Sequence, residues 1–134
     1  MALLGKYQNK TGLIFVNFVD FDMVYGHRRN VEGYARALEE FDRRIPQIMD
    51  ALSEDDALII TADHGCDPTY GAHTDHTREY VPLLVCGEAI KKNIDLGTRD
   101  TFADCGQTIA DMLGAGTLQY GRSFKGEVID EYRH

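Results

Sequence analysis

Two carboxylate and histidine clusters carry the chemistry that this chain offers: Asp22 and His27 in DFDMVYGHRR, and Asp63, His64 and His76 in TADHGCDPTYGAHTDHTREY. Aspartate oxygen and imidazole nitrogen together suit a hard to borderline divalent cation such as Mn²⁺ or Zn²⁺. Asp63 and His64 are adjacent, so an extended strand would point them to opposite faces. Only a turn at Gly65 aims both at nearby ions, and a pair of cations fits that better than one. Gly26 lets the segment between Asp22 and His27 fold back onto one ion. His73 and His76 share a segment in which a single ligand suffices, and His76 is preferred. Asp75 is a candidate to orient an imidazole from behind. Arg28, Arg29 and Arg78 are candidate phosphate partners, because guanidinium forms paired bonds to phosphate oxygens. Taken singly, each of these residues has a plainer use in a turn, a salt bridge or a solvated loop.

Each cluster follows an apolar run that reads as a buried strand. LIFVNFV (residues 13–19) is β-branched, aromatic and almost continuously apolar, as expected of a strand covered on both faces of a parallel sheet. ALIITA (57–62) is the second such run, and PLLVC (82–86) the third, with its proline tolerated at the first strand position. Between the first two, Val31, Tyr34, Leu38, Phe41, Ile45, Ile48 and Leu52 recur at helical spacing, with Asn30 as N-cap. Pro46 predicts a kink or break near Arg44 and Ile45. A second helix is expected over about residues 101–113, with Thr101 and Asp104 as a capping box and Gly114 ending it. Strands alternating with amphipathic helices point to an α/β domain with a largely parallel sheet and flanking helices. The strand exits would then bring Asp20, Asp22, His27, Asp63, His64 and His76 to one rim.

Composition narrows the function classes. A chain of 134 residues fits one modest domain or a piece of one, and its formal net charge of -8 argues against general nucleic-acid binding. MALLGKYQNK lacks the longer apolar run and cleavage site of a signal peptide, and residues 13–19 fall far short of the roughly 20 residues that a spanning helix needs. Three cysteines without C-x-x-C spacing fit reduced thiols of a cytoplasmic protein rather than a disulfide frame or thiolate zinc site. Phosphate-loop, dinucleotide and nucleophile-elbow motifs do not occur, and no serine or threonine has a distinctive nucleophile context.

DFDMVYGHRR, TADHGCDP and TDHTREYVPLL, followed in order by LGTRDTFADCGQTIADMLG and GRSF, closely resemble the phosphopentomutases of the alkaline phosphatase superfamily. YGHRR and DHTREY discriminate; DHG alone is shared with phosphoglycerate mutases and phosphatases. The resemblance implies an alkaline-phosphatase-like core that is incomplete, with residues 1–134 forming one partial catalytic-core domain and no separate cap. It implies that Asp22, His27 and His76 ligate one Mn²⁺ while Asp63 and His64 contribute to a second. A further aspartate, the phosphorylated threonine nucleophile and the cap are expected in an N-terminal part that this chain lacks. The implied activity of the full family is that of an isomerase, moving phosphate between C1 and C5 of ribose or deoxyribose in cytoplasmic nucleoside and pentose phosphate metabolism. A non-catalytic metal-binding or interaction fragment, or a related metal-dependent phosphatase, are the alternatives. Exposed sheet edges imply self-association, and neither nucleic acid nor a membrane is an expected partner. Two departures stand out: Cys66 occupies a position where asparagine is expected, and the loop with His73 is slightly long.

Overall fold

A computed structural model describes residues 6–7 and 10–129, so the apolar start at Met1, Ala2, Leu3 and Leu4 lies outside the described residues. A π-helical turn, Phe21–Gly26, is followed by helix α1, Val31–Met49; strands β1, Leu58–Thr61, and β2, Leu83–Cys86; and helices α2, Ala103–Met112, and α3, Lys125–Val128. The chain divides into two compact units. Of the described residues, the first contains Phe15–Ala51 and Ile60–Leu84, and the second contains 52–59 and 85–129 together with 6–7 and 10–14. Among the described residues no helix is long and apolar enough to cross a membrane.

In the first unit, α1 begins where the sequence places it. The Asn30 carboxamide oxygen accepts from the Gly33 amide at 2.9 Å, satisfying one of the helix's unpaired N-terminal donors. Half-buried Tyr34, Ala37, Phe41, Ile45 and Ile48 lie along one stripe. Phe41 packs on Phe18 with ring centroids 5.2 Å apart, and Tyr34 meets Phe21 edge-on at 5.6 Å. Of the kink or break expected near Arg44 and Ile45, the break does not occur. Proline removes one donor in the last turn, the one that would reach the carbonyl of exposed Asp42, and the helix runs on to Met49. Asn30→Ala should lower stability by about 1 kcal/mol while Asn30→Asp keeps it; urea unfolding followed by far-UV circular dichroism measures both, and equal midpoints for Asn30→Ala and the parent would refute the cap.

β1 and β2 form a two-stranded sheet. Gly65 lies beside Glu79 and Gly87 beside Asp56, so chain numbers rise on one side as they fall on the other, and the pair is antiparallel. The largely parallel sheet expected from the sequence is therefore not seen in this two-stranded pair. A parallel connection needs a crossover, usually a helix. Residues 62–82 contain turns and the antiparallel bridge between Gly65 and Thr77 instead, which double the chain back. The expected strand over residues 13–19 is likewise absent. Phe15 is 82% exposed and Val16 58%. A β-prone composition becomes a strand only where another strand meets its backbone groups, and none of the described strands does so here.

The second unit is organised around α2. Thr108 is fully buried, donating to the Asp104 carbonyl at 2.7 Å and accepting from the Phe124 amide at 2.9 Å. Phe124, Val128, Ala110 and Ile90 form the apolar core. Gly114 ends α2 with φ +65°, a conformation that suits glycine. The expected capping box does not form: the N-cap is Phe102, with no side-chain cap bond. Thr101 Oγ1 accepts from the Ala103 amide at 3.2 Å, whereas the Asp104 carboxylate is taken by Arg99 Nε and the Arg122 amide, both at 2.9 Å.

Candidate metal centre

Every residue of the candidate centre lies in the first unit. Asp22 and His27 sit at the two ends of the π-helical turn, whose wide closure bonds residues five apart: the His27 amide donates to the Asp22 carbonyl at 2.9 Å. Their spacing in sequence thus becomes adjacency in space, through a π turn rather than an open loop. Gly26 is buried there because a Cβ would run into Cys66 Sγ and come within 3.0 Å of the Phe21 carbonyl. Asp63 and His64 leave β1, and His76 arrives on the segment paired back to Gly65 through Thr77.

Asp22, His64 and His76 each offer one donor atom within 4.8 Å of the others. His76 Nε2 lies 3.3 Å and His27 Nε2 3.4 Å from Asp22 Oδ1. The His64 and His76 rings stack at 3.7 Å, and those of His27 and His76 are 4.9 Å apart. Asp63 is more loosely attached, with its side chain 83% exposed and Oδ1 3.7 Å from His64 Nε2. Asp20 is exposed at the start of the π turn.

The donor set fits a divalent cation on two counts. Asp22 Oδ1 is buried and receives no hydrogen bond, a costly state for a carboxylate oxygen unless a cation faces it. His27 Nδ1 lies 2.6 Å from the Thr74 carbonyl and His64 Nδ1 3.0 Å from the Gly65 carbonyl. A carbonyl only accepts, so each Nδ1 carries the proton, and in the neutral ring Nε2 presents its lone pair. This is the arrangement in which histidine ligands are held by a backbone acceptor behind them. Bonds of about 2.1 Å in a tetrahedral site separate the donors by about 3.4 Å, close to the spacings around Asp22.

The other candidates have different surroundings. Asp75 is exposed and accepts from the His76 amide at 2.8 Å; that bond holds its carboxyl below the usual range. His73 is set apart, its ring edge-on to Tyr70 at 5.0 Å. Arg28 and Arg78 are exposed. The Arg29 guanidinium bonds backbone carbonyls of the segment before His76. Burial, then the nearby Asp22 carboxylate, pushes the Cys66 thiol above 9.0, so it stays protonated at neutral pH and is a poor thiolate ligand.

Residues 2–117 match the Metalloenzyme superfamily. The chain belongs to this superfamily. Among curated relatives, the phosphopentomutase of Kosmotoga olearia is 61% identical over 119 residues, 89% of this chain and 30% of the relative. Those of Acetivibrio thermocellus and Clostridioides difficile are each 58% identical, over 88% and 91% of this chain and 30% and 31% of theirs. The chain therefore spans about 30% of the length of the phosphopentomutases that it matches. Over that shared part, the resemblance read from YGHRR, TADHG and DHTREY holds along most of the chain. Asp22, His64 and His76 form a candidate metal-binding group, in keeping with the divalent-metal use of a metalloenzyme superfamily. The sequence left Arg29 as a phosphate-binding or supporting residue, since nothing in its spacing distinguishes bonds to backbone carbonyls from bonds to phosphate.

Proposed function

We propose that this chain is the C-terminal part of a phosphopentomutase catalytic core, carrying most of the ligands of its metal centre. The observation that carries the reading is the convergence of Asp22, His64 and His76 in a chain 61% identical to a phosphopentomutase. In this reading residues 1–134 are a single partial domain whose complete core contains a larger, parallel sheet with residues 13–19 as one of its strands. Asp22, His27 and His76 hold one Mn²⁺, and Asp63 with His64 contributes to a second. When bound, two such cations neutralise charge on a transferring phosphoryl group and on the attacking and leaving oxygens. The chain's own residues hold the imidazole lone pairs in place through the Thr74 and Gly65 carbonyls, and Asp75 steadies the His76 backbone. Arg28 and Arg78 remain available to a sugar phosphate. Pentose phosphate is the proposed substrate of the full enzyme and the cytoplasm its location. The exposed apolar residues 13–19 support self-association of the isolated chain.

The test pairs metal binding with product analysis. The purified chain should bind Mn²⁺ in a calorimetric titration yet leave ribose 1-phosphate unchanged. Robust conversion to ribose 5-phosphate would defeat the fragment reading, and release of inorganic phosphate would favour the phosphatase. His76→Ala should weaken Mn²⁺ binding by about 100-fold, well beyond His73→Ala, which lies outside the cluster. Equal losses would sink the ligand assignment.

A further inference from the structure

We infer that Arg29 is the positioning residue of the metal centre, a clamp that ties the two ends of the loop over residues 67–75 and so sets His76 against Asp22. The inference rests on the metal reading above for its purpose, but its geometry stands independently. Arg29 Nη1 donates to the Asp67 carbonyl at 2.9 Å and Nε to the His73 carbonyl at 2.8 Å. Nη2 donates to the Asp75 carbonyl at 2.8 Å and also to the His73 carbonyl. A guanidinium has five N–H donors, so these four bonds leave only one N–H on Nη1 uncommitted. One accepting carbonyl belongs to the residue immediately before His76, and another to the far end of the same loop.

Two further features mark the clamp as built rather than incidental. Arg29 takes a left-handed backbone conformation, φ 52°, which is uncommon for a side chain of this size and costs about 1 kcal/mol or more. Its amide donates to the Gly26 carbonyl at 3.0 Å, anchoring this turn to the π turn that carries Asp22 and His27. The same stretch sends His27 Nδ1 to the Thr74 carbonyl at 2.6 Å. Residues 27 and 29 therefore hold the carbonyls of three consecutive residues, 73 to 75, directly ahead of His76. Three carbonyl dipoles gathered around one cation need a planar fork with several donors. Lysine supplies charge without that fork, so it is not an equivalent substitute.

The clamp is tested in the full chain with Arg29→Lys and Arg29→Gln. Proton NMR of the metal-free protein reads the His64 to His76 ring contact, which at 3.7 Å between centroids gives a nuclear Overhauser effect. Both variants should lose that signal while keeping the α1 and α2 signature in far-UV circular dichroism, and both should bind Mn²⁺ about 10- to 100-fold more weakly. Lysine is the milder change and keeps the test decisive where glutamine prevents folding. Retention of the ring contact in the lysine variant overturns the clamp, as does rescue of Mn²⁺ affinity by lysine, which would reduce Arg29 to a point charge. Should the parent chain bind no Mn²⁺ while the ring contact still depends on Arg29, the metal reading fails and the clamp stands.

Discussion

Asp22→Asn is expected to abolish Mn²⁺ binding, by about 100-fold or more in affinity, and at the same time to raise the stability of the metal-free chain. The two effects share one cause. Asp22 Oδ1 is buried without a donor, with His76 Nε2 and His27 Nε2 only 3.3 and 3.4 Å away. Without a cation no hydrogen bond reaches this buried carboxylate oxygen, which costs about 1–3 kcal/mol for a group left unsatisfied. Asparagine removes the charge and can aim its amide N–H groups at the imidazole nitrogens. The metal-free variant should therefore gain about 1 kcal/mol in urea unfolding. With metal present the order reverses, because only the carboxylate can complete the donor set. Calorimetric titration and unfolding with and without Mn²⁺ read both halves. A variant that is less stable than the parent in the presence of chelator would show that Asp22 is already satisfied by the protein, and the cation would lose its strongest support.

The second large effect concerns the other unit. Asp104→Ala should destabilise the chain by about 2–3 kcal/mol, the loss of hydrogen bonds to a buried charged group. Asp104 is 6% exposed; its two oxygens accept from the Arg122 amide and Arg99 Nε. Arg99 also reaches Glu127 at 3.2 Å and lies over the Phe124 ring at 5.4 Å. Truncation at Asp104 therefore leaves Arg99 with Glu127 as its carboxylate partner and frees the backbone that leads into Phe124. The Arg122 amide, followed by Arg99, holds the Asp104 carboxyl below its ordinary value of 3.8. The folded chain thus takes up this proton less readily than the unfolded one. Its stabilisation is fully present above the unfolded value and is lost as pH falls through the lowered folded value. Between about pH 5 and the acid side of this value, the urea midpoint of the parent should fall more steeply than that of Asp104→Asn. Parallel acid limbs in the two proteins would remove Asp104 from the account.

Much of this was legible in the chain. The periodicity from Val31 to Ile48 and the oxygen of Asn30 mark α1, the short apolar runs mark β1 and β2, and Gly114 marks the end of α2. These are local matters, decided by which side chains share a face and by which backbone conformation a residue tolerates. The types and order of Asp22, His27, Asp63, His64 and His76 suggest divalent-metal chemistry, and Asp22, His64 and His76 come together in space. Three things were not local. Residues 13–19 read as a strand, yet a strand exists only with a neighbour to receive its hydrogen bonds. The direction of β2 followed from a return through Gly65 and Thr77, a pairing that apolar pattern does not encode. Arg29 and Asp104 looked like a phosphate partner and a helix cap. Tertiary structure made one a clamp on three carbonyls and the other a buried anion beneath Arg99 and Arg122, because a long or charged side chain takes its role from acceptors and donors distant in sequence.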